Sequence, residues 1–228
     1  MTVTWSSSAT GPGDESHRSA SRASDPGLRS VRVALFTGSA VGASQRYAEA
    51  VADLARHLAA AGHGIVFGGG RVGLMGVVAD AAMAAGGEVI GVTPRTLVER
   101  EVAHHGITRL EVVETMHERK ARMVELADAL VALPGGVGTL DEFFEAWTWQ
   151  LLGIHSKPVA LYDVDGYWEG LRATLDRIAA EGFLGATHRA ALIQVSDPVA
   201  LVAAVREWRP PQQKWVAEAA EGGDRSGS

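Results

Sequence analysis

Short apolar runs alternate along the chain with longer stretches in which apolar residues recur every three or four positions. The runs are VRVALF (31–36), GIVFG (64–68), EVIGVT (88–93), LEVVE (110–114), ALVAL (129–133), PVALY (158–162) and ALIQV (191–195). Most lack strict apolar–polar alternation, which suits strands covered on both faces. The periodic stretches predict helices over 45–60, 74–85, 116–127, 139–152, 167–180 and 198–208. The segment 95–107 shows neither period and is expected to be irregular. The alternation predicts an α/β fold, a doubly wound parallel sheet of about seven strands with helices on both faces. Residues 29–208 are expected to form one domain. The stretch 1–28 is rich in Ser, Gly and Ala and is expected to be a disordered tail; 209–228 is expected to be a second, flexible one.

Composition narrows the functional classes. With 228 residues, 46% hydrophobic and 21% charged, the chain has an ordinary globular balance. A net charge of −6 argues against a nucleic-acid face, which needs clustered basic residues, and against a polybasic membrane contact. There is no cysteine, hence no disulfide, thiolate nucleophile or Cys-based metal site. No apolar run approaches the ~20 residues of a membrane-spanning helix, and the N-terminus has no apolar signal core. A cytoplasmic protein is the expectation.

In doubly wound folds ligands bind beyond the C-terminal ends of the strands. Three of those ends are Gly-rich: TGSAVG (37–42), GGGRVGLMG (68–76) and PGGVGT (134–139). Glycine allows tight turns and close backbone approach, and a following helix N-terminus offers free N–H groups to an anion. The plain alternative, that glycine only permits tight turns, suits one loop better than three. Gly68-x-Gly70-x-x-Gly73 matches the dinucleotide fingerprint formally, but it follows the second strand, and no acidic residue closes the next one, which ends Val92-Thr93-Pro94. No GxxxxGK[ST] is present. A nucleoside monophosphate or a sugar phosphate fits better than a triphosphate.

After the fourth strand, Thr115 and Glu118 form a T-x-x-E capping box, so a helix should begin at Met116. Arg119 and Lys120 then sit in its first turns, and Arg can bind phosphate or a nucleotide in a fork geometry. In PGGVGTLDE, residues 135–139 can hold a phosphate with backbone N–H groups and the Thr139 hydroxyl. Asp141 and Glu142 follow on what is expected to be the first helical turn. If Glu142 faces the cleft it lies near the sugar of a bound nucleotide, where a carboxylate can stabilise an oxocarbenium-like transition state or activate a water. Equally, the two carboxylates could only complement the helix dipole.

Taken together, GGGRVGLMG, MHERKARM, PGGVGTLDE and WTWQLLGIHSKPVALYDVDGYW resemble the "Lonely guy" (LOG) family of cytokinin riboside 5′-monophosphate phosphoribohydrolases, over about residues 31–205. The resemblance implies a Rossmann-like fold and a homodimer or larger assembly. It implies hydrolysis of the N-glycosidic bond of adenine-type nucleoside 5′-monophosphates to free base and ribose 5-phosphate, with no metal or redox cofactor. By motif, Arg119 and Glu142 resemble the catalytic pair. Gly38, Ser39, Gly69, Gly70, Lys120, Gly135, Gly136, Val137, Gly138, Thr139, Leu140 and Asp141 resemble substrate contacts. Glu101 resembles a substrate-binding carboxylate, in different surroundings (VEREVAHHG), and Thr148 is a weaker binding candidate. Thr37 stands where many relatives carry Cys.

Two other readings belong to the same superfamily. Lysine decarboxylation needs pyridoxal phosphate on a lysine, and the chain has only Lys120, Lys157 and Lys214. A molybdenum-cofactor or nucleotide carrier shares the PGGxGT loop, but binding a phosphate needs no carboxylate at position 142. His104, His105, His117 and His155 lack metal-ligand spacing. Phe143, Phe144, Trp147 and Trp149 are expected in the core or a dimer interface.

Overall fold

The structure is a computed structural model and describes residues 30–100 and 102–211. The expected N-terminal tail, most of the C-terminal one and Glu101 lie outside the described residues. Seven strands form one all-parallel sheet: β1 Arg32–Phe36, β2 Gly64–Phe67, β3 Val89–Pro94, β4 Arg109–Val113, β5 Ala129–Ala132, β6 Val159–Tyr162 and β7 Ile193–Val195. Their order is β4-β3-β2-β1-β5-β6-β7. The chain winds outward from β1 in one direction and then, from β5, in the other. The topological switch therefore lies between β1 and β5, where Phe36 pairs with Ala132.

Among the described residues, eight helices accompany the strands: α1 Gln45–Ala60, α2 Gly73–Ala84, α3 Arg95–Glu99, α4 Met116–Leu126, α5 Val137–Leu151, α6 Glu169–Ala180, α7 Ala186–Ala191 and α8 Pro198–Glu207. Side chains alternate across a strand, so β1 feeds two cores. Val33 and Leu35 pack with Leu54 and Leu58 of α1 and Val78 of α2. Ala34 and Phe36 pack with Met123 of α4 and with Phe143 and Trp147 of α5. Both faces of the central strands are thereby dry, which explains their unbroken apolar runs. Trp147 and Phe143 are core residues, whereas Phe144 is 39% exposed.

Two helices and three element starts differ most from the sequence expectation. Helix α3 lies inside the segment expected to be irregular, and α7 was not expected; each spans under two turns, too short for a helical period to register. Because α7 takes Ala191, β7 begins only at Ile193. Helix α6 begins at Glu169 rather than near Tyr167, because Asp165 and Gly166 turn in left-handed conformation with φ of 51° and 78°. Helix α5 begins at Val137, capped by the Gly136 backbone, so Asp141 and Glu142 occupy its second turn, not its first. Helix α4 does begin at Met116: the Thr115 hydroxyl accepts from Glu118 N at 3.1 Å, and Glu118 accepts from Glu114 N at 2.9 Å.

Candidate active site

The three Gly-rich loops meet at the switch point. The Thr37 hydroxyl donates to Pro134 O at 3.0 Å, and Gly38 N donates to the same oxygen at 3.4 Å. Gly38 O in turn accepts from Leu74 N at 3.0 Å. The contacts are too close for side chains. A Cβ on Gly135 would lie 2.9 Å from Gly38 N, and one on Gly73 would lie 2.2 Å from Ser39 C. Gly73 also holds φ of 60°, a conformation that favours glycine.

These loops wall a cavity of about 460 Å³. Its lining includes Gly136 to Thr139, the N-terminus of α5. The first amides of a helix have no partner within it, so those of Val137, Gly138 and Thr139 are left over at this wall, with the positive pole of the helix behind them. The Thr139 hydroxyl is buried there and, among the described residues, has no hydrogen-bond partner. A buried polar atom without a partner costs free energy, and an anion seated on the loop would satisfy it. Apolar lining comes from Val72, Met75, Leu97 and Val102.

Arg119 and Glu142 line the same cavity. Arg119 comes from α4, and its guanidinium lies across the end of β2, where Gly68 leaves room; a Cβ at Gly68 would fall 1.7 Å from Nη2. Its Nε donates to Val92 O at 3.2 Å and its Nη1 meets Glu142 Oε1 at 3.1 Å. Both side chains are only 8% exposed. Burial pushes the Glu142 carboxyl above the usual carboxylate range. Arg119 opposes the rise, Asp141 adds to it, and Lys120 opposes it.

The cavity brings together Gly38, Ser39, Gly70, Gly136, Val137, Gly138 and Thr139 with Arg119 and Glu142. Other residues singled out in the sequence stand elsewhere. Gly69, at φ of 72°, is turned toward Thr93 and Leu110. Gly135 lines a smaller neighbouring cavity, and Leu140 faces neither. Lys120 donates to Asp141 at 3.0 Å and pairs with Glu145, tying α4 to α5. Burial works against its charge, but Glu145 and Asp141 outweigh it and hold its pKa above the ordinary value. Thr148 is exposed on α5. His117 stands 3.4 Å from Glu145, outside the cavity.

Sequence reasoning missed Thr93, Leu97 and Val102 as lining residues. Thr93 ends β3 and was open to the strand-end rule. Leu97 and Val102 were not, because Leu97 lies within a short helix without a readable period and Val102 follows it. Among the described residues, no group of three or more His, Asp or Glu is placed to hold a metal, and no helix is long and apolar enough to cross a membrane.

Comparison with known proteins places this geometry. A family model described as "possible lysine decarboxylase" matches residues 75–205. A probable cytokinin riboside 5′-monophosphate phosphoribohydrolase of Oryza sativa subsp. japonica is 45% identical over 78% of this chain and 79% of its own. The cytokinin riboside 5′-monophosphate phosphoribohydrolase of Rhodococcoides fascians is 43% identical over 76% of this chain and 88% of its own. Among solved structures, the molybdenum cofactor binding protein of Rippkaea orientalis matches with a TM-score of 0.60 at 21% identity, over 78% of this chain and 97% of that one. That likeness shows the shared Rossmann-like fold. At 40% identity and above across most of their lengths, the sequence relatives show more: the chain belongs to the LOG family.

Proposed function

We infer that this protein hydrolyses the N-glycosidic bond of adenosine 5′-monophosphates, N6-modified ones included, and releases the free base and ribose 5-phosphate. One observation carries the reading: the buried Arg119–Glu142 pair lines a single cavity together with a helix N-terminus and a set of apolar side chains. Helix residues rise ~1.5 Å each, so Glu142 lies ~7.5 Å along α5 from Val137, with its side chain leaning back toward the N-terminus. A ribose 5-phosphate fits that interval, with its phosphate on 137–139 and its C1′ beside Glu142. Anion site and carboxylate thus coexist in one short motif because a helical turn separates them.

The chemistry follows from the environment. As the C1′–N9 bond breaks, its electron pair leaves with the base, which takes up a proton, and positive charge builds on the sugar. The ionised Glu142 stabilises that charge and accepts a proton from the water that bonds to C1′. Arg119 favours the ionised carboxylate against the cost of burial and orients the nucleotide. Leu97 and Val102 offer apolar surface to the base.

The other readings fit this chain less well. Lys157 donates to Val124 O at 2.5 Å, on the last turn of α4, and lies outside the main cavity. Lys120 is held charged between two carboxylates. Neither lines the main cavity, where an imine with pyridoxal phosphate would have to form. A carrier needs the phosphate loop but no buried carboxylate beside the sugar. A homodimer is part of the proposal, supported by exposed apolar residues on and after α5: Phe144, Leu152 at 49% and Ile154 at 64% exposure. So is a cytoplasmic setting, where nucleoside monophosphates are made.

The test is a chromatographic assay with AMP and N6-isopentenyladenosine monophosphate. Wild type should release base and ribose 5-phosphate. Glu142→Gln should bind nucleotide and lose ~10²–10⁴-fold in kcat. Bound nucleotide without release of base by wild type would instead establish a carrier.

A further inference from the structure

The loop after β6 reads YDVDGYW, and its geometry is tightly held. Asp163 accepts from Gly166 N at 2.9 Å and from Trp168 N at 2.8 Å. Trp168 is buried and donates from its ring to Tyr162 O at 3.1 Å. Asp165 and Gly166 turn the chain in left-handed conformation, and Tyr167 projects from the turn. Its ring meets Trp168 edge-on at 4.7 Å and Tyr47 of α1 at 5.5 Å. Tyr47 packs under the first glycine loop: a Cβ on Gly42 would come 2.9 Å from its ring. The Tyr167 hydroxyl donates to Gly135 O at 2.6 Å, a short and strong bond. Tyr167 does not line the main cavity. It lines a second cavity of about 260 Å³, which adjoins the main one at Gly38, Ser39 and Gly136.

In a trans peptide the carbonyl and the following N–H point in opposite directions, and no described peptide is cis. The bond that holds Gly135 O on the Tyr167 side therefore turns Gly136 N–H away from it, toward the main cavity that Gly136 also lines. Donation to the carbonyl also polarises the amide and strengthens its N–H as a donor. The geometry points to Tyr167 as a positioning residue: its hydroxyl aims the Gly136 amide at the 5′-phosphate, and its ring braces the second glycine loop against the first through Tyr47. This rests on the phosphoribohydrolase reading. It assigns a binding function to a side chain that never touches the substrate.

Tyr167→Phe keeps the ring and removes only the hydroxyl. Calorimetric titration with ribose 5-phosphate should show a Kd raised ~5-fold, the size of one hydrogen bond. KM for the nucleotide should rise equally, with kcat held. The Gly136 amide resonance should move in the variant without ligand, because the lost bond belongs to the same peptide. Tyr167→His restores an N–H donor on a ring and should recover part of the affinity. Unchanged Kd and an unmoved Gly136 resonance would overturn the inference alone, as would a fall in kcat at constant KM. A wild type that binds no ribose 5-phosphate would overturn the phosphoribohydrolase reading as well.

Discussion

One missing methyl group at position 68 decides where the Arg119 guanidinium lies. Gly68 shows no left-handed φ, so alanine is conformationally allowed there, but its Cβ would overlap Nη2 of Arg119. Gly68→Ala should therefore fold normally by circular dichroism and lose about 100-fold or more in kcat, since misplaced catalytic groups cost on that order. Wild-type kcat in this variant would remove Arg119 from the catalytic pair. Glu142 makes a second prediction. Its pKa is raised, chiefly by burial, so the carboxyl stays protonated and unable to accept a proton up to a higher pH than an ordinary Glu at ~4.3. The kcat profile, which reports groups in the bound complex, should fall on its acid side at a pH above that value and level off at higher pH. A profile flat down to pH 4 would show that catalysis does not use an ionised Glu142. Arg119 and Glu142 were legible as candidates because each follows a strand end, and the family resemblance singled them out as a pair. The role of Gly68 was not, because it depends on a helix side chain crossing a strand end remote in sequence.

Helices α4 and α5 carry one member of the pair each, so what fixes them together fixes the site. Lys120 does part of this through Asp141 and Glu145, and it is only 16% exposed. Lys120→Met should lower unfolding stability in urea by about 1–3 kcal/mol, the range for hydrogen bonds between charged groups. If stability is unchanged and KM rises instead, the ammonium leaves the carboxylates for the phosphate, as the family resemblance implied. The start of α4 was readable because a capping box announces it. The start of α5 was read two residues late, because Gly136 caps through its backbone and leaves no side-chain signal. That small shift matters chemically, since it moves Glu142 from the phosphate-binding turn to the next one. The short α3 and α7 carry too few residues for any period.

The alternation of apolar runs and amphipathic stretches was enough to announce a doubly wound sheet. The order of its strands was not readable, because a run buried on both faces does not specify its neighbours. Order is what makes the site: placing β1 next to β5 joins TGSAVG to PGGVGT, although 97 positions separate Thr37 from Pro134. A ligand at this junction contacts the loops after β1, β2 and β5 together and should stabilise the fold as a whole. Binding only the folded state at a ligand concentration 100 times Kd adds ~2.7 kcal/mol. For a domain of this size that is ~5–10 °C in melting temperature. Ribose 5-phosphate should produce such a shift in wild type and in Glu142→Gln, whose phosphate-binding turn is intact. Thr139→Val, which removes the buried hydroxyl without a partner, should show a much smaller one. An equal shift in Thr139→Val would place the phosphate away from the α5 N-terminus. No shift in any of the three would mean that the junction of the two halves of the sheet is not where this ligand binds.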